Sequence, residues 1–232
     1  MKLDAYTYDR NVFELQPLEI KMQTPSWWSK LKNTIKEFDP RSGIHVPCPT
    51  VKACPGVVNY IRKPIVFKLW SDVIFKVNPN GSVKYVNPER SPLKFEASQH
   101  SNEQVGNELY ANRAILKLHV PWAIKGSDKT EFMLTECHYT EDLRKHDILV
   151  SPGILNFYEQ HTINVFLVFP VKEEPYEVLL KYGTPLMSMY PMTDKKVEIK
   201  NHLTDRNTIA DLLDNFPSTF FGRYYLKKKV TS

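Results

Sequence analysis

Apolar and polar residues alternate in short runs through most of the chain, the period-two pattern of half-buried strands. The clearest run is Ile65 to Val77, in which Ile65, Phe67 and Leu69, then Val73, Phe75 and Val77, recur at every second position. It stops at Asn78-Pro79-Asn80-Gly81 and resumes as Ser82-Val83-Lys84-Tyr85-Val86. Turn residues between two alternating runs predict a β-hairpin. Further strands are predicted over 114–120, 131–135, 148–158, 163–169, 176–180, 185–190 and 195–200, separated by Gly, Pro, Asp and Lys. That spacing belongs to antiparallel sandwiches and barrels. Residues 2–20 read as two short strands broken by a turn at Asp9-Arg10-Asn11.

Helical spacing is rare. Thr24-Pro25 ahead of Ser26-Trp27-Trp28 reads as a capped helix start, and Leu203 to Leu213 reads as a helix capped by Thr204 that ends before Pro217. Between Asp39 and Pro55 stand Pro40, Pro47, Pro49 and Pro55, which predict an extended surface excursion. The expected fold is mainly β: an antiparallel β-sandwich, jelly-roll-like, with a few short helices including one near the C-terminus. It divides into an N-terminal part (1–53), a sandwich core (54–202) and a C-terminal helix with a basic, aromatic tail (203–232), forming one compact domain.

Composition narrows this reading. With 8 Gly, 17 Pro and 42% hydrophobic residues the chain is neither linker-like nor collagen-like. Lys plus Arg exceed Asp plus Glu by 31 to 26, but the tail alone supplies Arg223, Lys227, Lys228 and Lys229 without an acid. The body is therefore close to neutral, and nucleic acid is not an expected partner. Phe220, Phe221, Tyr224 and Tyr225 precede those lysines. They read as aromatics that pack on the body, with an aromatic-basic clamp as the alternative. Three cysteines, Cys48, Cys54 and Cys137, fit a reducing compartment better than a disulfide framework. No signal peptide or spanning apolar segment is read, so a soluble, unprocessed protein without membrane contact is expected.

Candidate chemistry is thin. No glycines lie close enough to cradle a phosphate, which excludes a P-loop or dinucleotide fold, and G-x-S-x-G and H-E-x-x-H are absent. His45, Cys48 and Cys54, with Cys137-His138, lack the spacing of a zinc ribbon. His100, His119, His138 and His161, with Glu103 and Gln104, form the candidate metal set of a jelly-roll enzyme, but no H-x-H or H-x-D/E pattern supports it. No catalytic residue and no cofactor are assigned. Glu141-Asp142 and Glu173-Glu174 read as solvated turns, whereas Asp72, inside a predicted strand, calls for a partner such as Arg62 or Arg113. The adjacent Trp27 and Trp28 cannot share one face, so one of them is free for a neighbour or ligand.

Six segments taken in order resemble a family of uncharacterised proteins encoded by tailed bacteriophages. They are Cys54-Pro55-Gly56-Val57, Leu69-Trp70-Ser71-Asp72, His100 with Gln104, Lys117-Leu118-His119-Val120-Pro121-Trp122, Ser151-Pro152-Gly153-Ile154-Leu155, and Gly183-Thr184-Pro185-Leu186 ahead of Tyr190-Pro191. The resemblance spans roughly residues 25 to 195 and implies a phage origin, with no catalytic residues to transfer. Closing strands of trimeric nucleotide-handling β proteins are similar to 178–191, but their amide-lined phosphate site is missing. The first functional expectation is a non-enzymatic virion-associated or assembly protein. It would contact phage or host proteins, or its own copies, through Trp27, Trp28 and the C-terminal aromatics, in the virion or the host cytoplasm. The alternatives are a metal-dependent, cupin-like jelly-roll enzyme and an intracellular binder acting through the basic tail.

Overall fold

Strands dominate the computed structural model, which describes residues 1–87, 96–104, 108 and 110–214. The aromatic and basic tail, with Phe220, Phe221, Arg223, Tyr224, Tyr225 and Lys227 to Lys229, lies outside the described residues. In chain order the elements begin with β1 (Lys2–Thr7), α1 (Arg10–Leu15), β2 (Thr34–Asp39), β3 (Ile44–Pro49), α2 (Pro55–Arg62) and β4 (Ile65–Lys68). Then come β5 (Val73–Val77), β6 (Val83–Val86), β7 (Ala97–His100), β8 (Arg113–Gly126), β9 (Glu131–Glu136) and β10 (Leu149–Val150). The last are β11 (Gly153–Asn156), β12 (Thr162–Pro170), β13 (Tyr176–Leu180), β14 (Pro185–Pro191), β15 (Glu198–Leu203) and α3 (Arg206–Asp214). The protein is thus mainly β, built from several antiparallel sheets with short helices; β1 and β15 alone among the described pairs run parallel.

The largest sheet runs β10-β12-β8-β1-β15, with β7 added to β8. At 14 residues β8 is long enough to hold β7 along Ile115–Leu118 and β1 along Ala123–Gly126 on the same side. Leu116 and Leu118 alternate toward the core, opposite Leu167 and Val165 of β12. Pro121 falls where the register with β12 shifts, so its missing N–H interrupts no regular ladder. A second sheet runs β11-β9-β14-β4 and a third β13-β5-β6. One continuous core joins all three: Leu3, Leu118 and Val165 from the first, Phe67, Phe132 and Met187 from the second, Phe75 and Val178 from the third.

The hairpin predicted around Asn78-Pro79-Asn80-Gly81 is present as β5–β6, closed by Gly81 N–H on Asn78 O at 2.9 Å with Gly81 at φ +78°. Its incoming strand is shorter than predicted, because β4 leaves to pair with β14 in another sheet. The single strand predicted over 148–158 likewise splits at Ser151-Pro152 into β10 and β11, which belong to different sheets. Residues 10–15 are a helix, not a strand. The Asp9 carboxylate accepts from Asn11 N (2.8 Å) and Val12 N (3.1 Å), capping the turn that the pattern had assigned to a reversal.

The helix expected after Thr24 is a series of turns, with Trp28 N on Pro25 O, Lys30 N on Trp27 O and Leu31 N on Trp28 O. At the other end α3 is capped by Asp205, whose carboxylate takes Thr208 N–H at 2.9 Å, one residue after the expected Thr204. The proline-rich excursion is a regular two-stranded hairpin, β2–β3. Thr50 N–H donates to Asn33 O (2.9 Å), which fixes the alternation so that residues 45, 47 and 49 turn their amide side away from β2. Prolines 47 and 49 therefore cost the ladder nothing.

Candidate interface

Five aromatic side chains from separate parts of the chain meet on one flank of the molecule. Tyr60 comes from α2, Tyr190 from β14, Tyr139 from the turn after β9, and Trp27 and Trp28 from the turns before β2. Pairing of β9 with β14 brings the two strands' contributions together. Tyr60 lies 4.9 Å from Tyr190 and 5.4 Å from Tyr139, ring centre to ring centre; Trp27 lies 6.2 Å from Tyr139 and 5.7 Å from Trp28. Those spacings are the tilted and edge-on contacts that aromatic rings favour. All five are half-buried.

Their polar ends tie the patch to the body. Tyr190 Oη donates to Tyr60 O (2.8 Å), Tyr60 Oη to Glu136 O (2.7 Å) and Trp27 Nε1 to Tyr139 O (3.2 Å). Burial pushes both the Tyr60 and Tyr190 phenols up. Beneath them Cys137 is buried, its Sγ 3.2 Å from Ser188 Oγ, and burial pushes its thiol up to about 12. At neutral pH the Cys137 thiol and the Tyr60 and Tyr190 phenols are uncharged, which leaves flat apolar rings with fixed edges.

A polar rim borders the rings. Glu136 Oε1 accepts from Arg144 (2.7 Å) and lies 2.6 Å from His138 Nδ1, while Thr135 Oγ1 is 3.2 Å from His138 Nε2. Lys52 Nζ stands 5.9 Å from the Trp28 ring centre on the other side. Beyond Tyr60 and Tyr190 an open groove of about 540 Å³ continues past Asn59, Lys63, Met133 and Met192. Met133 and its cross-strand neighbour Ile154 are exposed there. Half-buried aromatics, exposed methionines and a charged rim are the composition of protein interfaces.

No family model matches the chain, and no curated protein matches it in sequence.

Of the residues singled out from sequence, Trp27 and Trp28 are in this patch, and both contribute to it. Tyr60, Tyr139 and Tyr190 were missed as site residues; they are scattered along the chain and carry no local motif. The four histidines lie apart. His100 and His119 share one face of the largest sheet, where His100 packs edge-on against Phe166 at 5.2 Å. His119 lines a cavity of about 200 Å³ with Glu96, Trp122 and Asn164, and burial, with Lys117 and His100 nearby, holds its imidazole below the usual range. His161 is buried, its Nδ1 2.9 Å from Ile124 O, and His138 belongs to the rim. Glu103 and Gln104 sit exposed on a single 3-10 turn.

His45 and Cys48 stand three residues apart on β3, so the pleat points them to opposite faces, and Cys54 is the exposed cap of α2. Among the described residues no three His, Cys, Asp or Glu side chains are grouped so as to hold a metal ion. Asp72 is exposed, outside any strand, and accepts from Tyr182 N (2.6 Å). That backbone amide stands where an arginine was expected, and Arg113 pairs instead with Asp147 at 3.0 Å. Among the described residues no helix is long and apolar enough to cross a membrane.

Proposed function

We propose that this is a phage virion-associated or assembly protein, non-enzymatic, whose sandwich-like β scaffold presents a docking surface to other phage or host proteins. One observation carries the reading: Trp27, Trp28, Tyr60, Tyr139 and Tyr190 form a half-buried patch in which the polar ends of Trp27, Tyr60 and Tyr190 are engaged internally. Rigid aromatic anchors beside a charged rim supply contact energy at small conformational cost. The phage setting rests on the ordered resemblance of residues 25 to 195, and it places the protein in the particle or in the infected host's cytoplasm.

The test is mass spectrometry of gradient-purified particles and of their assembly intermediates. The protein is expected at a fixed stoichiometry in one of them. Trp28→Ala, which removes a ring held by its contacts with Trp27 and Lys52, is expected to cut incorporation about tenfold or more, the loss typical of a central anchor. Absence from every particle and intermediate would remove this reading.

A further inference from the structure

The β2–β3 hairpin stands out from the body. All of β2 except Asp39 is exposed, and Ile35, Phe38 and Ile44 show 41%, 58% and 60% of their surface to solvent. A lone two-stranded ribbon is marginal in water and gains most of its stability from a third strand or a packed face.

Its two edges differ. The hydrogen-bonded pairs inside the hairpin are Ile35·Cys48, Glu37·Val46 and Asp39·Ile44, as the Thr50–Asn33 bond sets them. On the β3 side the outward positions are His45, Pro47 and Pro49, so two of three donors are missing and that edge refuses a strand. On the β2 side the outward amides and carbonyls belong to Thr34, Lys36 and Phe38, and among the described residues no hydrogen bond reaches them. Only the β2 edge is open.

We infer that this edge pairs antiparallel with the β2 edge of a second copy of the chain, about a two-fold axis at Ile35, giving a four-stranded sheet shared by two molecules. The inference deepens the functional reading above and rests on it for its biological setting. The exposed Ile35, backed by Cys48, matches a second copy of itself, and charge selects the register. A two-fold axis between antiparallel strands pairs only residues on the same face, so it must pass through one residue. At Thr34 it sets Lys36 against Lys32, at Lys36 it opposes two lysines, at Glu37 two glutamates, and at Phe38 it sets Glu37 against Asp39 and Lys36 against Pro40. Like charges directly opposite are destabilising.

At Ile35 the opposed pairs are Ile35 with Ile35, Thr34 with Lys36 and Glu37 with Asn33. No like charges face each other. The Thr34–Lys36 pairs exchange main-chain hydrogen bonds, and Cys48, Ile35, Ile35 and Cys48 form one apolar row across the four strands.

Cross-linking tests the register on the full chain in a Cys48→Ser, Cys54→Ser background. Ile35→Cys places two thiols at a non-hydrogen-bonded pair, where Cβ atoms are closest, and mild copper-phenanthroline oxidation is expected to give a covalent dimer at least tenfold faster than for Lys36→Cys. Lys36→Pro tests the edge. It removes a donor that the hairpin itself does not use, so the fold is expected to persist by circular dichroism while the scattering mass falls from a dimer to the 27.1 kDa chain. A wild-type monomer at about 100 μM, or equal cross-linking at positions 35 and 36, overturns the inference. A β2-linked dimer that never joins particles would keep it and remove the functional reading; particle incorporation of a chain that is monomeric and fails to cross-link at 35 would do the reverse.

Discussion

Cys137 shows how far residue type alone falls short of reactivity. Its sequence neighbourhood, Glu136 and His138, looks polar, yet its side chain faces Ser188 across β14 and is 9% exposed. Burial raises its thiol to about 12, so almost no thiolate exists at pH 8. Cys54 is exposed and Cys48 half-buried, with Glu37 beside the latter pushing its thiol up. Titration of the native protein with an aromatic disulfide is therefore expected to label two thiols, Cys54 first, and to modify Cys137 about a thousandfold more slowly. All three react in denaturant; rapid labelling of three in the native state would contradict the burial. Asp72 illustrates the same limit. Its expected arginine partner is instead the Tyr182 amide, 110 residues away, a proximity that no local pattern encodes.

Elements were legible where a turn or a strand is set by its own residues. Asn78-Pro79-Asn80-Gly81 forces a reversal because Gly81 adopts a positive φ, and β13 keeps the alternation read from its side chains. Misreadings arose where one residue's capping capacity outweighs the apolar pattern. Asp9 satisfies two amides and turns 10–15 into a helix that buries Val12. Asp9→Ala is expected to destabilise the protein by about 1 kcal/mol, with Asp9→Asn largely neutral. Urea midpoints of the two variants check this, and equal loss in both would point to charge instead of capping. Prolines misled in the opposite direction: those at 47 and 49 mark an edge strand, since both fall on the outward phase of β3.

At the scale of the whole molecule the fold couples stability to pH through histidines that sit neutral. His119 and His146 both lie below the ordinary value of 6.5, first because burial disfavours the charged imidazole, then because of nearby positive charge from Lys117 and His100, and from Lys145 and Lys172. Unfolding frees each to take up a proton, so their contribution to stability is flat above about pH 7 and declines as the pH falls through 6.5 toward the lower native values. A melting temperature lower at pH 5.5 than at 7.5 is expected, with the difference reduced in the His119→Gln, His146→Gln double variant. An unchanged difference would assign the acid sensitivity to other groups.

Side-chain alternation, turn chemistry and proline phase act over a few residues, so the chain by itself determined that it is mainly β and where most strands lie. It also marked Trp27 and Trp28 as surface candidates. Sheet membership was decided only in three dimensions: β4 and β5, or β10 and β11, are neighbours in sequence yet take different partner strands, β14 against β13 and β12 against β9, in sheets that share one core. The aromatic patch was decided there too. Its rings come from residues 27 to 190 and become neighbours through β9–β14 pairing, a long-range contact selected by burial of the whole core, which no single segment carries.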